Sequence, residues 1–195
     1  MNNEIYRDEY NNSEKLALMM HFLAEMLTDR MQFNKCKAKD MEKGFLDNLA
    51  VTQTSYSDDN YNISVLITTD KLKTKTTTLK NFLASDVEVY KIVISDQAVQ
   101  SILTMFKNTN NCEHVNIYDI MSSRKDHYTN PIFVQLTEEE QEQVRQEYKL
   151  SPNNLSGIDS DEAMALYYNL KPGDIIRIIR PSTVAGQGVQ YRQAY

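Results

Sequence analysis

The stretch 171-KPGDIIRIIRPSTVAGQGVQYR-192 decides the fold of the last third of the chain. "KPGD" (171–174) predicts a turn, and "DIIRIIRP" (174–181) predicts a strand. Pro181 must end that strand or lie at a sheet edge, because proline has no N–H to donate. "GVQYRQ" (188–193) predicts a returning strand. The sequence therefore predicts a β-hairpin at the C-terminus.

The loop inside this stretch has three possible roles: a phosphate-binding loop, a simple turn or a docking surface. Arg180 and Arg192 bracket small residues, with no acid, cysteine or histidine between them. A catalytic phosphate loop needs glycines followed by Lys-Ser/Thr and a helix. Gly186 and Gly188 instead lie between two predicted strands, and no G-x-x-x-x-G-K occurs in the chain. A turn and a docking surface therefore remain.

The residues before the hairpin predict a small α+β domain over 124–195. "PIFVQL" (131–136) predicts a strand, and Thr137 with Glu140 forms a capping box for a helix whose inner face carries Val144 and Tyr148. "DSDEAMALYYNL" predicts another short helix, with 159–162 spaced as a second capping box.

The N-terminal part predicts a mainly parallel α/β domain over 1–123. A helix is indicated by an apolar stripe of Leu16, Met19, Met20, Leu23, Met26 and Leu27. Strands are predicted for "YNISVLITTD" (61–70), "VEVYKIVIS" (87–95) and "EHVNIYDI" (113–120), with helices between them. "MSSRKDHYTN" (121–130) is typical of a linker between the two domains.

Composition restricts the class of protein. The 195 residues carry a net charge of −6, which argues against a free-standing nucleic-acid binder. Two cysteines form no disulfide framework, which favours a reducing compartment. The polar, acidic start lacks a signal-peptide pattern, and no apolar run approaches the roughly 18 residues of a membrane span. These features predict an intracellular, soluble protein.

Catalytic sites are tested and rejected on their spacing. Cys112-Glu113-His114 is isolated, so it supplies too few ligands for zinc, and no Ser or Cys is spaced with a His as a nucleophile. A metal-dependent nuclease needs Glu and Lys two residues apart on a strand. Tyr90 stands two residues after Glu88, so this pattern is broken. We predict no catalytic residue, metal or cofactor.

A lysine ridge in "TTDKLKTKTTTLK" is the best candidate for nucleic-acid contact. Lys71, Lys73 and Lys75 alternate, so an extended chain presents them on one side, where they can touch phosphates without reading bases. An equally good reading is a solvated edge that blocks sheet aggregation.

The C-terminal stretch resembles a known family, the small shared subunit of cellular multisubunit RNA polymerases. This is the fifth subunit of the eukaryotic nuclear enzymes, and it has a counterpart in the archaeal enzyme. The matching positions are Gly173, Ile178, Arg180, Pro181, Ser182, Ala185, Gly186, Tyr191 and Arg192. His127 with Pro131 and "LTEEEQEQVRQEYKL" also resemble family patterns. Val184 and Gln187-Gly188 depart from the pattern, and "LSGIDSDEAMALYYNL" lacks the prolines that the family has there.

The resemblance implies a non-catalytic polymerase subunit. Its C-terminal domain is expected to be an assembly module that binds the largest subunit. Its N-terminal jaw domain is expected to have a nuclease-like fold without an active site, beside downstream DNA. The expected partner-binding residues are Arg180, Pro181, Ser182, Ala185, Gly186, Tyr191 and Arg192, with the two arginines offering paired donors to a carboxylate or carbonyl.

Two other hypotheses stay open at this point: a free-standing nuclease relative and an independent DNA-binding transcription regulator. The source is also open. A large DNA virus's polymerase places the chain in infected cytoplasm or in virus particles, and a cellular polymerase places it in the nucleus.

Overall fold

A computed structural model of the chain describes residues 12–33, 35–49, 53–68, 77–85, 88–107, 111–121, 130–149, 155–182 and 184–195. The chain is a mixed α/β protein with two four-stranded sheets, in agreement with the predicted class. It splits into two compact units, Met1–Glu25 with Lys35–Ser122 and Met26–Asn34 with Ser123–Tyr195. Among the described residues, no helix is long and apolar enough to cross a bilayer. Most of the predicted linker, 122–129, lies outside the described residues.

The first unit is built on a mixed sheet. Its strands are β1 (Gln53–Ser57), β2 (Asn62–Thr68), β3 (Tyr90–Ser95) and β4 (Cys112–Asn116), in that order across the sheet. β1 pairs antiparallel with β2, whereas β2, β3 and β4 run parallel. The helices are α1 (Asn12–Asp29, shared with the second unit), α2 (Ala38–Asp47), α3 (Thr77–Ala84), α4 (Gln100–Lys107) and α5 (Ile117–Met121).

Buried apolar positions explain this arrangement. β3 lies between two strands and is buried from Lys91 to Ser95, so the predicted central strand is confirmed. The apolar stripe of α1 is buried from Met19 to Leu27, while Leu16 is half-buried. Three expectations were wrong. β1 was not predicted, residues 117–121 are helical rather than a strand, and α2 runs past Gly44 to Asp47.

The second unit has its own four-stranded sheet. Its strands are β5 (Ile132–Gln135), β6 (Ser156–Ile158), β7 (Ile175–Ser182) and β8 (Gly186–Ala194), in the order β5-β7-β8-β6. β7 is antiparallel to both of its neighbours, and β6 is parallel to β8. The helices are α6 (Glu138–Glu147) and α7 (Ala163–Tyr167), and Met31–Phe33 forms a 3-10 turn.

The two predicted capping boxes have different outcomes. At α6, the Thr137 side chain accepts from the backbone N–H of Glu140, and Glu140 accepts from the N–H of Thr137, so this box is confirmed. At α7, Glu162 is the N-cap but makes no side-chain capping bond, so the second box was wrong. Tyr148, expected on the inner face of α6, is 55% exposed.

Arg30, at the end of α1, is the most deeply buried arginine described, at 1% exposure. Its Nε donates to the carbonyl oxygen of Tyr167 at 2.7 Å, and its Nη2 donates to that of Leu166 at 3.2 Å. These carbonyls stand at the C-terminal end of α7, where backbone acceptors lack intrahelical partners and the helix dipole favours a cation. The Tyr167 hydroxyl in turn donates to Asp29 at 2.7 Å. A segment far away in sequence thus completes the second unit.

Replacing Arg30 with methionine is expected to destabilise the second unit by about 3 kcal/mol, because two carbonyls lose a charged donor. Hydrogen exchange of β7 amides in the full chain measures this loss. Arg145 is a matched control: its Nη2 also donates to a carbonyl, that of Gly173, but its side chain is 37% exposed. Arg145→Met should speed β7 exchange far less than Arg30→Met, and equal effects would contradict the role of Arg30.

Candidate partner-binding surface

The pairing of β7 with β8 determines which side chains share a face. The register runs from Ile175 opposite Gln193 to Ser182 opposite Gly186. Because directly opposed residues point to the same side, Ile176, Ile178 and Ala194 lie on one face. That face packs into a core with Ile158, Met164, Ala165, Tyr168 and Leu170. The opposite face packs only at its Ile175 end, where Leu136 and Val144 meet it.

The predicted partner-binding residues fall into two groups. Arg180, Pro181, Ala185 and Gly186 are exposed at the tip where β7 and β8 meet, with Ser182 half-buried among them. Pro181 lies beyond the last β5 pairing, Ile132 with Ile179, so β7 has only one neighbour there, as the sequence predicted. Tyr191 and Arg192 lie further down β8, on opposite faces of the sheet.

The expected pairing of Arg180 with Arg192 is wrong. Arg180 opposes Gly188, and Arg192 opposes Ile176, so four residues of strand, about 13 Å, separate the two positions along one face. They cannot form one clamp for a single carboxylate. Sequence reasoning also missed Arg177, which opposes Tyr191 on the other face. The Nε atoms of Arg177 and Arg192 are buried without a hydrogen-bond partner among the described residues.

Gly186 has a backbone reason for being glycine. Its φ is +73°, in the left-handed region that side chains disfavour. A Cβ built there meets nothing within 4 Å, so no close approach within the described chain requires glycine. The Ser182 hydroxyl accepts from the N–H of Ala185 at 3.2 Å and helps to hold this turn.

Substitutions at Gly186 should therefore rank by backbone preference. Gly186→Ala should cost about 1 kcal/mol of unfolding free energy and Gly186→Val more, while Gly186→Asn should cost least. Urea unfolding of the full chain measures the ranking. Gly188→Ala is the control, because the nearest atom to its Cβ is 4.0 Å away and its φ is not positive. Equal losses for Gly188→Ala and Gly186→Ala would refute the explanation.

The first unit places the polar residues considered for a nuclease in structural roles. Glu88 precedes β3, and Asp58 and Asp59 lie in the turn between β1 and β2. Lys91 is 5% exposed, and its Nζ donates to the carbonyls of Leu83 and Ser85, at the end of α3. A lysine held by two carbonyls in this way is not presented to a substrate.

The segment Cys112–His114 is also packed into the fold. The His114 ring hydrogen-bonds the Ser95 hydroxyl at 2.7 Å and stacks on Phe106. Burial lowers the pKa of His114 to about 4, although Asp119 opposes the shift, and burial raises the pKa of Cys112 to about 12. Within the described ranges, no group of three or more His, Cys, Asp or Glu side chains is placed to hold a metal ion.

His114 makes the stability of the first unit depend on pH. Because its folded pKa lies below the 6.5 of an unfolded histidine, the unfolded chain takes up the proton first. Stability should fall as pH drops from about 6.5 to about 4, by on the order of 3 kcal/mol, and then level. Urea titrations of wild type and His114→Gln measure this loss, which the variant should lack.

His21 supplies a control of opposite sign. The hydrogen bond from Glu42 raises the pKa of His21, so its contribution is present below pH 6.5 and lost as pH rises through the folded pKa. His21→Gln should therefore leave the acid-side loss in place. Identical acid limbs for wild type and His114→Gln would contradict the assignment to His114.

Similar proteins are known for both parts of the chain. Residues 123–194 match the family model described as RNA polymerase Rpb5, C-terminal domain. A DNA-directed RNA polymerase subunit 5 of Acanthamoeba polyphaga mimivirus is 28% identical over 207 positions, covering 98% of this chain and 97% of the relative.

Shorter matches come from cellular organisms. A subunit of DNA-directed RNA polymerases I, II and III from Dictyostelium discoideum is 31% identical over 80 residues, 41% of each chain. The Rpo5 subunit of Saccharolobus shibatae RNA polymerase is 39% identical over 66 residues, 34% of this chain and 79% of the relative. The lysine ridge, Lys71, Lys73 and Lys75, lies outside the described residues. Residues 123–194, which contain β5 to β8, therefore belong to the Rpb5 C-terminal domain family.

Proposed function

We propose that the chain is a non-catalytic subunit of a multisubunit DNA-directed RNA polymerase. The observation that carries this proposal is the match of nearly the whole chain to a viral polymerase subunit 5, together with the Rpb5 domain at 123–194. The chain contributes to transcription by assembly, and the polymerase's other subunits are its partners. Its second unit docks on the largest of them.

The geometry of the second unit supports docking rather than chemistry. Residues 175–195 contain three arginines and no acid. The exposed tip from Arg180 to Gly186 offers main-chain groups and small side chains, which let another backbone approach closely. None of these groups is a nucleophile or a general base.

The first unit is the proposed jaw domain, a nuclease-like fold without an active site of its own. The parallel core β2-β3-β4 supports this assignment, because a parallel sheet covered by helices is the frame such folds use. The roles of Lys91 and His114 support the lack of an active site, since both are engaged inside the unit. A divalent-metal cleavage assay on the isolated chain should show no nuclease activity.

An independent DNA-binding regulator is the alternative function. The net charge of −6 is its main difficulty, because unassisted DNA binders carry an overall basic face. A DNA-shift titration of the isolated chain should give weak binding or none. We place the chain where its polymerase works: infected cytoplasm or virus particles for a viral gene, and the nucleus for a cellular one.

The proposal is tested by purifying the chain from its natural host through a tag at its N-terminus. Mass spectrometry should recover the other polymerase subunits in fixed proportion, and the eluate should extend RNA on a DNA template. Recovery of the chain alone, with no polymerase subunit and no RNA synthesis, would refute the function. Tagging the largest subunit instead provides the reciprocal control.

The lysine ridge is proposed to touch the phosphates of downstream DNA within the complex. Lysine offers a point charge without a planar fork, so the contact is independent of sequence. Changing Lys71, Lys73 and Lys75 to glutamine should lower the salt at which elongation complexes release DNA, by about one unit of salt slope for each phosphate contact. Assembly should be unchanged. Superimposable salt curves would leave the ridge as a solvated edge.

A further inference from the structure

An apolar row crosses three strands of the second unit on its open face. Ile132 on β5 opposes Ile179 on β7, which opposes Val189 on β8, so the three side chains stand side by side. Ile132 is 61% exposed and Val189 56% exposed, while Ile179 between them is half-buried. Large apolar side chains next to one another at this exposure mark an interaction surface more often than isolated ones do.

The row has a covered side and an open side. The neighbouring row, Val134, Arg177 and Tyr191, is half-buried, and Tyr148 of α6's C-cap packs on the Tyr191 ring at 5.6 Å. On the other side stands Pro181, exposed where β7 has lost its β5 neighbour. The apolar surface thus continues from the α6 core to the tip of the sheet.

The charge around this surface is of one sign. Arg177 and Arg180 flank the row along β7, on opposite faces, and residues 175–195 contain no acid. Arg177, whose Nε is buried and unpartnered, forms no ion pair with any carboxylate in the described part of the chain. An occupant that carries a carboxylate beside an apolar stretch would neutralise this charge.

We propose that the row Ile132–Ile179–Val189, with Arg177 beside it, receives an apolar segment carrying an acidic residue from another polymerase subunit. This proposal rests on the proposed function and names the surface and chemistry of its docking. The row lies outside the motif at 180–186, so docking extends beyond the residues that carry the sequence resemblance.

Two other occupants fit less well. A second copy of the chain would face itself through a two-fold interface, which places Arg177 and its symmetry mate in one patch without an acid. A nucleic acid would satisfy the arginines but leave the row of Ile and Val side chains without an apolar partner. The combination of an apolar row and one sign of charge therefore favours a different protein chain.

The test is the occupancy of the chain in polymerase purified through a tag on the largest subunit. The variant Ile132→Ser with Val189→Ser should reduce occupancy at least tenfold while keeping the wild-type melting temperature, because both side chains are already exposed. The control variant, Leu46→Ser with Val99→Ser, changes two side chains that are each 37% exposed in the first unit and should keep full occupancy.

Charge is tested at Arg177 separately. Arg177→Gln should lower the salt concentration at which the chain leaves the polymerase, and Arg177→Lys should recover part of this resistance because it keeps the charge. A photo-crosslinking residue at position 189 should join the chain to another polymerase subunit. Crosslinks only to a second copy of the chain, or only to nucleic acid, would overturn the proposal.

The outcomes separate the two proposals. If wild type co-purifies with polymerase and the double-serine variant does so equally well, the docking row is wrong and the polymerase function stands. If wild type itself is absent from the purified polymerase, the function fails, and the row loses its occupant with it.

Discussion

The antiparallel register of β7 and β8 is the constraint on which the second unit depends. Eight residue pairs hold it, from Ile175–Gln193 to Ser182–Gly186. A slip by one residue would move Ile176 and Ile178 out of the core and bring Arg177 into it, so the register is strongly specified. The left-handed Gly186 closes the pairing at one end. The same register leaves Ile179 and Val189 side by side on the open face, so core packing and the proposed docking row have one origin.

Both units end a helix with a buried cation from elsewhere in the chain. In the second unit Arg30 donates to the last carbonyls of α7, and in the first unit Lys91 donates to the carbonyls of Leu83 and Ser85 at the end of α3. Each cation meets acceptors that helix geometry leaves without partners. A charged side chain that sequence reasoning examines as a possible catalytic group therefore has a structural function here, which agrees with a subunit that acts by assembly.

Local rules predicted the parts of the fold that depend on local sequence. The Thr137–Glu140 capping box, the central strand β3 and the edge position of Pro181 follow from adjacent residues. Long-range placement did not follow. Arg30 contacts Tyr167, 137 residues away, and nothing near Arg30 indicates that contact. The strand "QTSYS" has too few apolar residues to show alternation, although it buries Thr54 and Tyr56. The docking motif gave the tip correctly as exposed, but only the register shows that Arg180 and Arg192 lie apart and that Ile132 joins the surface.

The central claim is that this chain is a polymerase subunit held by its second unit. A cryo-electron microscopy map of the polymerase, purified through its largest subunit, tests it most directly. The account predicts density for β5 to β8 in contact with another subunit, with Ile132, Ile179 and Val189 covered and a carboxylate near Arg177. A polymerase without this chain, or one in which the first unit makes all contacts and the sheet of the second unit stays exposed, would contradict it.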